Sequence, residues 1–446
     1  MTGSMREPGA ATWFGHPRGL TILFLTEMWD QFSFFGMRAL LIYYMTKQLL
    51  IGQAHSSYIY GLYSSFVYFT PLVGGVISDR WLGRRRAVII GASIMSLGHF
   101  MMAFETLFYF ALATIALGNG LFLPSLASQI NQLYAPEDPR RATAYNIYYV
   151  GINLGAFLAP FVCGTVGEIY GWHWGFALAG IGMLVGLATY LGGSRYLPKN
   201  NAEEARIGEP VARSRAPVST YVLLLSVIAI VVIFRAAYEQ SGNTIALWAD
   251  TGIDRQIGQG FSIPMTWFQS LNPLLIFLLT PVIVIYWTRA ATRGREPGSI
   301  GKMAMGALIV GASYFLLAIV AAYSGGERAS WLWLALFFLI YTIGELFILP
   351  VGLGLFGKLA PLEFAATAIA AWFMGAFFGN LLAGAVGALW SDVSPATFFA
   401  LTGAISMASA AMFLAIVRWA NRAEASHSAP ADAAVSAAAL AADARH

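Results

Sequence analysis

Between two long apolar runs the chain reads Gly75-Val76-Ile77-Ser78-Asp79-Arg80-Trp81-Leu82-Gly83-Arg84-Arg85-Arg86. Four arginines and an aspartate within residues 79–86 cannot enter hydrocarbon or a packed core without a large desolvation cost. They fit a short loop at the lipid headgroups, with a membrane helix running away on either side. Gly75 would let two helices approach closely, and Asp79 would cap a helix or pair across the loop.

The runs on either side set the architecture. Crossing a ~30 Å hydrocarbon core takes about 20 apolar residues in a helix. Such stretches fall near 19–50, 56–78, 86–104, 106–133, 142–167 and 174–193. They resume near 219–249, 263–288, 301–323, 331–357, 364–390 and 395–419. The expectation is an all-α integral membrane protein of twelve spans in two six-helix bundles. Its parts would be an N-terminus over 1–18, a bundle over 19–193, a charged and proline-punctuated linker over 194–218, a second bundle over 219–420 and a disordered Ala-rich tail over 421–446.

Composition agrees. Hydrophobic residues make up 58% of the 446 positions and charged residues 11%, against about 25% charged in soluble domains. Lipid must therefore solvate much of the surface. The first apolar run is too long, and too charged within, for a cleavable signal peptide. A net charge of +4 could suggest nucleic acid, but the cations sit in short loops between apolar runs, so no nucleic-acid partner is expected. Cys163 is the sole cysteine, and His16, His55, His99 and His173 are scattered at no ligand spacing. There is no phosphate-binding loop, nucleophile elbow or zinc motif, so neither an enzyme nor a cofactor or metal is expected.

Cation placement orients the chain. Of 26 Lys and Arg, twenty-one lie in the termini, the linker and the loops of one side, including Arg80, Arg84–Arg86, Arg140 and Arg289. Only Lys47, Arg255 and Arg328 lie on the other side, and Arg38 and Arg235 fall within spans. The positive-inside rule places both termini in the cytoplasm of a multi-pass bacterial inner-membrane protein.

Charges inside spans mark function. Each costs about 2.5–3.5 kcal/mol at mid-membrane on insertion scales, so it needs a reason. Glu27, Asp30, Gln31, Phe34 and Arg38 form one stripe on one helix face. Arg235 and Glu239 stand at i, i+4, close enough to pair, and Glu345 lies in the tenth run. Such charges could merely lock helices together, or they could line a water-filled solute path.

The motifs decide between these. The Asp79-Arg80 and Gly83-Arg84-Arg85-Arg86 loop resembles the signature of the major facilitator superfamily. Nearly the whole chain, from about Gly19 to Arg418, resembles the proton-dependent oligopeptide transporter (POT) family. Thr26 to Arg38 is similar to its helix-1 ExxERFxYYGMR region, Asn119 to Ser128 to its helix-4 GNGxxKPNIS region, and Asn146 to Gly155 to its helix-5 signature. Phe234 to Gly242 is similar to the helix-7 FWAxxEQxG segment. Gln269 to Pro273, Gly344 to Gly352, and Trp372-Phe373 with Gly379-Asn380 resemble helices 8, 10 and 11.

The resemblance implies a proton-coupled symporter of di- and tripeptides working by alternating access; the expected partners are a peptide or peptide-like solute, protons and the lipid membrane, and the chain is expected to act as a monomer. It implies that Glu27, Asp30 and Glu345 handle protons, and that Glu345 faces the peptide's amino end. Tyr68, Asn153, Asn272 and Trp372 would line the pocket, and Arg38 and Glu239 would pair across the outer gate.

The departures fall on the working parts. ExxERF is here Glu27-x-x-Asp30-Gln31-Phe32, the following Tyr-Tyr is Phe34-Phe35, and the helix-4 Lys is Leu123. In the family that Arg and that Lys help receive the peptide carboxylate. Charge-assisted bonds of this kind contribute about 1.5–3 kcal/mol each. Arg235 stands where Trp is usual, either returning a positive charge to the cavity or simply pairing with Glu239. Glu345 would pair with it or take up a proton. Two readings of the cargo follow: peptides, or a non-peptide solute moved in or out with altered or absent proton coupling. A non-transporting receptor is the third reading, disfavoured by the polar stripe and gate residues.

Overall fold

Long helices dominate, because a backbone in lipid must satisfy its own N–H and C=O groups. The computed structural model describes residues 12–13, 15–135, 138–198, 218–258, 260–359 and 365–443. Most of the expected linker, 199–217, lies outside the described residues, as does most of the N-terminus.

The chain divides into two compact units. The first takes Met1–Gly208 together with Ser241–Phe277, and the second Glu209–Gln240 with Leu278–His446. In the first unit, α1 (Arg18–Tyr43) packs on α5 (Arg140–Ala159) and α7 (Trp172–Gly193). Helix α4 (Phe108–Gln132) packs on α2 (Gln53–Ile77) and α3 (Arg84–Met101). A wide turn at Pro160–Gly164 joins α5 to the short α6 (Thr165–Tyr170); proline there removes a backbone donor and loosens the ladder. Leu20, Leu23, Val88, Met95, Phe122, Leu126 and Met183 are buried together between these helices.

Close helix approach needs glycine. A Cβ on Gly74 would lie 2.0 Å from the Gly120 carbonyl oxygen, so α2 and α4 meet there almost backbone to backbone. The sequence pointed to Gly75 for this contact. A Cβ on Gly75 would sit 3.7 Å from Pro124, an ordinary distance, because that residue is rotated off the contact line.

The second unit holds α8 (Val218–Tyr238), α11 (Ser299–Tyr323), α12 (Trp331–Leu359), α13 (Ala365–Ala388) and α14 (Pro395–Asp443). Helix α11 packs on α12 and α14, and α8 on α13 and α14. Helix α10 (Phe268–Thr292) begins in the first unit and ends in the second. Helix α14 continues through Asp443, so the stretch from 421 expected to be disordered is helical that far. Its alanines explain this, alanine being the strongest helix former.

Ten helical segments among the described residues are long and apolar enough to cross a membrane. Helices α1 and α3 fall short of that standard for a reason visible in their sequences: α1 carries Glu27, Asp30 and Arg38, and α3 opens on three arginines.

The segment Ser241–Phe277 was expected to belong with the second bundle. It is instead fastened within the first unit. Its short helix α9 (Thr244–Thr251) receives the Tyr43 hydroxyl on the Ala246 carbonyl at 2.7 Å. Lys47 reaches Asp250 at 2.7 Å, and Arg255 meets the same carboxylate at 3.6 Å. Glu168 accepts the backbone N–H of Met265 (3.1 Å), that of Thr266 (2.9 Å) and the Thr266 hydroxyl (2.5 Å). A carboxylate on free N–H groups just before a helix acts as a cap, here for α10.

Candidate functional site

In the middle of α1, Glu27 and Asp30 are both buried, 0% and 1% exposed. The Gln31 amide donates to Glu27 Oε1 at 3.1 Å and to Asp30 Oδ2 at 3.0 Å. The Tyr148 hydroxyl of α5 donates to the other Glu27 oxygen in a short bond. Helix α5 can come this close because Gly155 faces α1, where a Cβ would lie 2.1 Å from the Met28 carbonyl oxygen. Three donor contacts thus serve three of the four carboxyl oxygens, while Asp30 Oδ1, also buried, has no hydrogen-bond partner. The expected stripe is real as far as Gln31: one neutral amide bridges two acids.

Two turns further, the Arg38 Nε donates to the Tyr60 hydroxyl at 2.6 Å, and its guanidinium lies over the Tyr60 and Phe35 rings at 5.6 and 5.9 Å. Phe34 is half-buried, edge-on to Phe35 at 5.3 Å. Tyr68 on α2, Leu123 on α4 and Asn272 on α10 are half-buried as well. Asn153 is buried, and its amide donates to the Tyr149 carbonyl one turn back on α5.

The second unit gathers the other predicted residues. Arg235 Nη1 donates to Glu239 Oε1 at 2.6 Å, with both side chains buried. The arginine stem is wedged against α13, where a Cβ on Gly379 would lie 2.5 Å from its own Cβ. Glu345 on α12 accepts the Tyr238 hydroxyl at 2.7 Å. Trp372 on α13 is buried, tilted against Phe356 at 5.3 Å, and Gly352 leaves room for its ring. Arg38 belongs to the first unit and Glu239 to the second, and each has the partner just given within its own unit.

The Gly75–Arg86 loop is a wide turn, Ser78–Leu82, followed by Gly83 at φ +75°, a conformation that favours glycine. Arg84 Nε stands 3.7 Å from Asp79, an exposed pair across the turn as expected. Arg80 is exposed and Arg85 is half-buried in the first turn of α3.

Two tyrosines of the site were not singled out from sequence, although both lay inside quoted motifs. Tyr148 and Tyr238 each serve a buried acid on another helix. The only signal was a hydroxyl on a ring in an otherwise apolar stretch, and a buried Tyr hydroxyl needs a partner.

Long apolar helices in two units make this a candidate multi-pass membrane protein, with paired acids and an ion pair buried among its helices. The profile of the POT family matches residues 85–219 and 212–403. The chain is similar to a peptide transporter of Yersinia enterocolitica, 32% identical with 94% of this chain and 97% of that one covered. It is also 33% identical to a di-/tripeptide transporter of Lactococcus lactis, with 89% and 94% covered. A crystal structure of the peptide transporter POT in complex with sulfate superposes with TM-score 0.85 at 29% identity, covering 93% and 97%. A POT family transporter in complex with 5-aminolevulinic acid gives 0.83 at 26%, covering 92% and 98%. The chain belongs to the POT family, and it is a multi-pass protein of the plasma membrane.

Proposed function

We propose that the chain is a proton-driven symporter of di- and tripeptides or close peptide-like solutes, working by alternating access as a monomer. The observation that carries this is the α1 cluster, where Glu27 and Asp30 are buried side by side on one neutral amide. Two carboxylates in a low-dielectric site do not both hold full charge cheaply, so a proton is the natural balancing ion. Asp30 Oδ1, buried without a partner, is a seat for one. Each proton entering carries about 2.3 kcal/mol per 100 mV of membrane potential, enough to drive modest accumulation.

In this reading Glu345 receives the amino end of the peptide and joins in proton handling. Tyr68, Asn153, Asn272 and Trp372 line the path, and Gln31, Phe34, Leu123 and Arg235 shape its carboxylate end. Arg38 and Glu239 work the outer gate. The excess of cations on one side supports cytoplasmic termini and twelve spans. The relatives named above support peptide as cargo. The test is uptake of dialanine into proteoliposomes holding the full chain, with and without an inward proton gradient. Accumulation above equilibrium only with the gradient is expected, and equal uptake in both would refute symport.

A second reading, a non-peptide small molecule moved in or out with altered or absent proton coupling, is favoured by Gln31 and Leu123, both neutral. It predicts that a thermal-shift panel ranks non-peptide small molecules above dipeptides.

A further inference from the structure

Helix α10 is the least packed of the ten segments long and apolar enough to cross a membrane. In its most apolar stretch 22% of the residues are buried, against 33–56% in the other nine. From 277 to 292 none of its residues is buried, although most are apolar. One edge does pack: the Trp287 ring lies 5.1 Å from that of Phe347 on α12, and the Lys302 ammonium stands 4.7 Å over it. Another edge does not. There Val282, Ile285 and Tyr286 are 59%, 50% and 54% exposed.

That edge becomes basic where the helix ends. Arg289 and Arg293 follow Ile285 at i+4 and i+8, so they continue its face. Gly294, at φ +62°, then reverses the chain. The Arg295 N–H returns to the Ala290 carbonyl at 2.9 Å, and the Gly294 N–H to the Ala291 carbonyl at 2.9 Å. This glycine-closed helix end brings Arg295 round to the other two arginines. The three guanidiniums and the three apolar side chains line one open cavity of about 770 Å³, wholly within the second unit.

A cation in the last turn suits the helix dipole, but three around one cavity repel each other unless an anion joins them. Among the described residues none of the three meets a carboxylate. Glu296, the adjacent acid in the chain, is held by Lys302 instead. The counterion must then come from outside the chain, and the apolar side of the cavity asks for hydrocarbon.

We propose that this cavity docks an anionic phospholipid of the surrounding membrane. Its phosphate lies among Arg289, Arg293 and Arg295, whose planar forks match phosphate oxygens. An acyl chain runs along Tyr286, Ile285 and Val282. The depth is right: Val282 to Arg289 rises ~10 Å along the helix, within the ~15 Å that one leaflet contributes to a hydrocarbon core. A basic pocket at the end of a membrane helix is where an anionic headgroup is retained. The occupant covers the face of α10 that the described helices leave bare.

The test uses the full chain in neutral detergent, reading the melting midpoint against probe concentration. The probes are dioleoylphosphatidylglycerol, dioleoylphosphatidylcholine, the short-chain dihexanoylphosphatidylglycerol and inorganic phosphate. The first is expected to raise the midpoint saturably, and the other three to need more than about tenfold higher concentration. Replacing Arg289→Gln, Arg293→Gln and Arg295→Gln together should weaken the response about a hundredfold, equivalent to ~2.7 kcal/mol. Arg206→Gln, Arg213→Gln and Arg215→Gln remove equal charge from the linker and should leave it unchanged. Equal half-saturation by the choline lipid in the wild type would overturn the assignment, since no charge would then be read. An equal response to inorganic phosphate or the short-chain lipid would make this a soluble-anion site and overturn it as well. So would a wild-type response in the first triple variant, an equal loss in the linker variant, or no saturable response to any probe.

Discussion

In the first unit Glu27 and Asp30 share a neutral donor, the Gln31 amide, while in the second Glu239 holds the guanidinium of Arg235 and Glu345 the phenol of Tyr238. All four acids are buried. The chemistry of the partner therefore separates them. An amide bridging two carboxyls supplies hydrogen bonds without cancelling charge, the task that the proposed symport gives to a proton. A buried Arg–Glu pair cancels its own charge and resists change, since removing one partner strands the other. In the proposed function the first cluster exchanges protons, while the Arg235 pair ties Glu239 to the last turn of α8.

The largest effect is expected from breaking the first cluster. Glu27→Gln with Asp30→Asn should abolish gradient-driven accumulation of dialanine, while exchange of labelled for unlabelled substrate continues. Accumulation equal to wild type in the double variant would remove these residues from proton coupling.

Next comes the ion pair. Arg235→Met leaves Glu239 buried without its guanidinium, at a cost of about 3 kcal/mol for a broken buried pair. A clear fall in melting midpoint in detergent is expected, with part of it recovered by adding Glu239→Gln. Absence of recovery would mean that Arg235 serves chiefly something other than Glu239.

Glu168→Ala tests the fastening of Ser241–Phe277. Three donors lose one acceptor, at about 1–2 kcal/mol once water replaces part of the bonding. The expected readout is faster proteolysis or hydrogen exchange confined to residues near Met265 and Thr266. Unchanged exchange there would show that the Lys47–Asp250 and Tyr43–Ala246 contacts suffice.

The smallest effect concerns the exposed Asp138. Hydrogen bonds from Arg140 hold its carboxyl below the ordinary range. A depressed carboxyl stabilises the fold above its unfolded value and loses that contribution as pH falls through the folded one. Asp138→Asn should therefore lower the melting midpoint slightly at neutral pH, and the difference from wild type should vanish as the medium is acidified below the ordinary carboxylate range. A difference that persists in acid would point to the neutral hydrogen bonds alone.

How much of this was legible in the sequence follows from what kind of interaction each feature uses. The helices were, because hydropathy over about 20 residues is a local property. The Arg235–Glu239 pair and the Gln31 contacts to Glu27 and Asp30 were foreseeable, because helical periodicity sets which side chains meet within one helix. The pairing of Asp79 across its loop was foreseeable too, because its partner Arg84 lies five residues away on the other side of one short turn. Tyr148 on Glu27, Tyr238 on Glu345 and Glu168 on Thr266 were not, because each bond joins residues about a hundred positions apart. The close approach assigned to Gly75 fell one residue away at Gly74, since a rotation of one residue around a helix is set by the partner helix and not by the motif.

By itself, then, the sequence determined that this chain lives in lipid, where its loops lie, and which acids sit on which helix face, since these follow from local hydropathy, charge and helical period. The tertiary structure alone decided which donor each buried acid receives and that Ser241–Phe277 packs with the first unit. Those outcomes depend on which helix backbones glycine allows into contact, and on hydroxyls and carboxylates that meet only after the chain has folded.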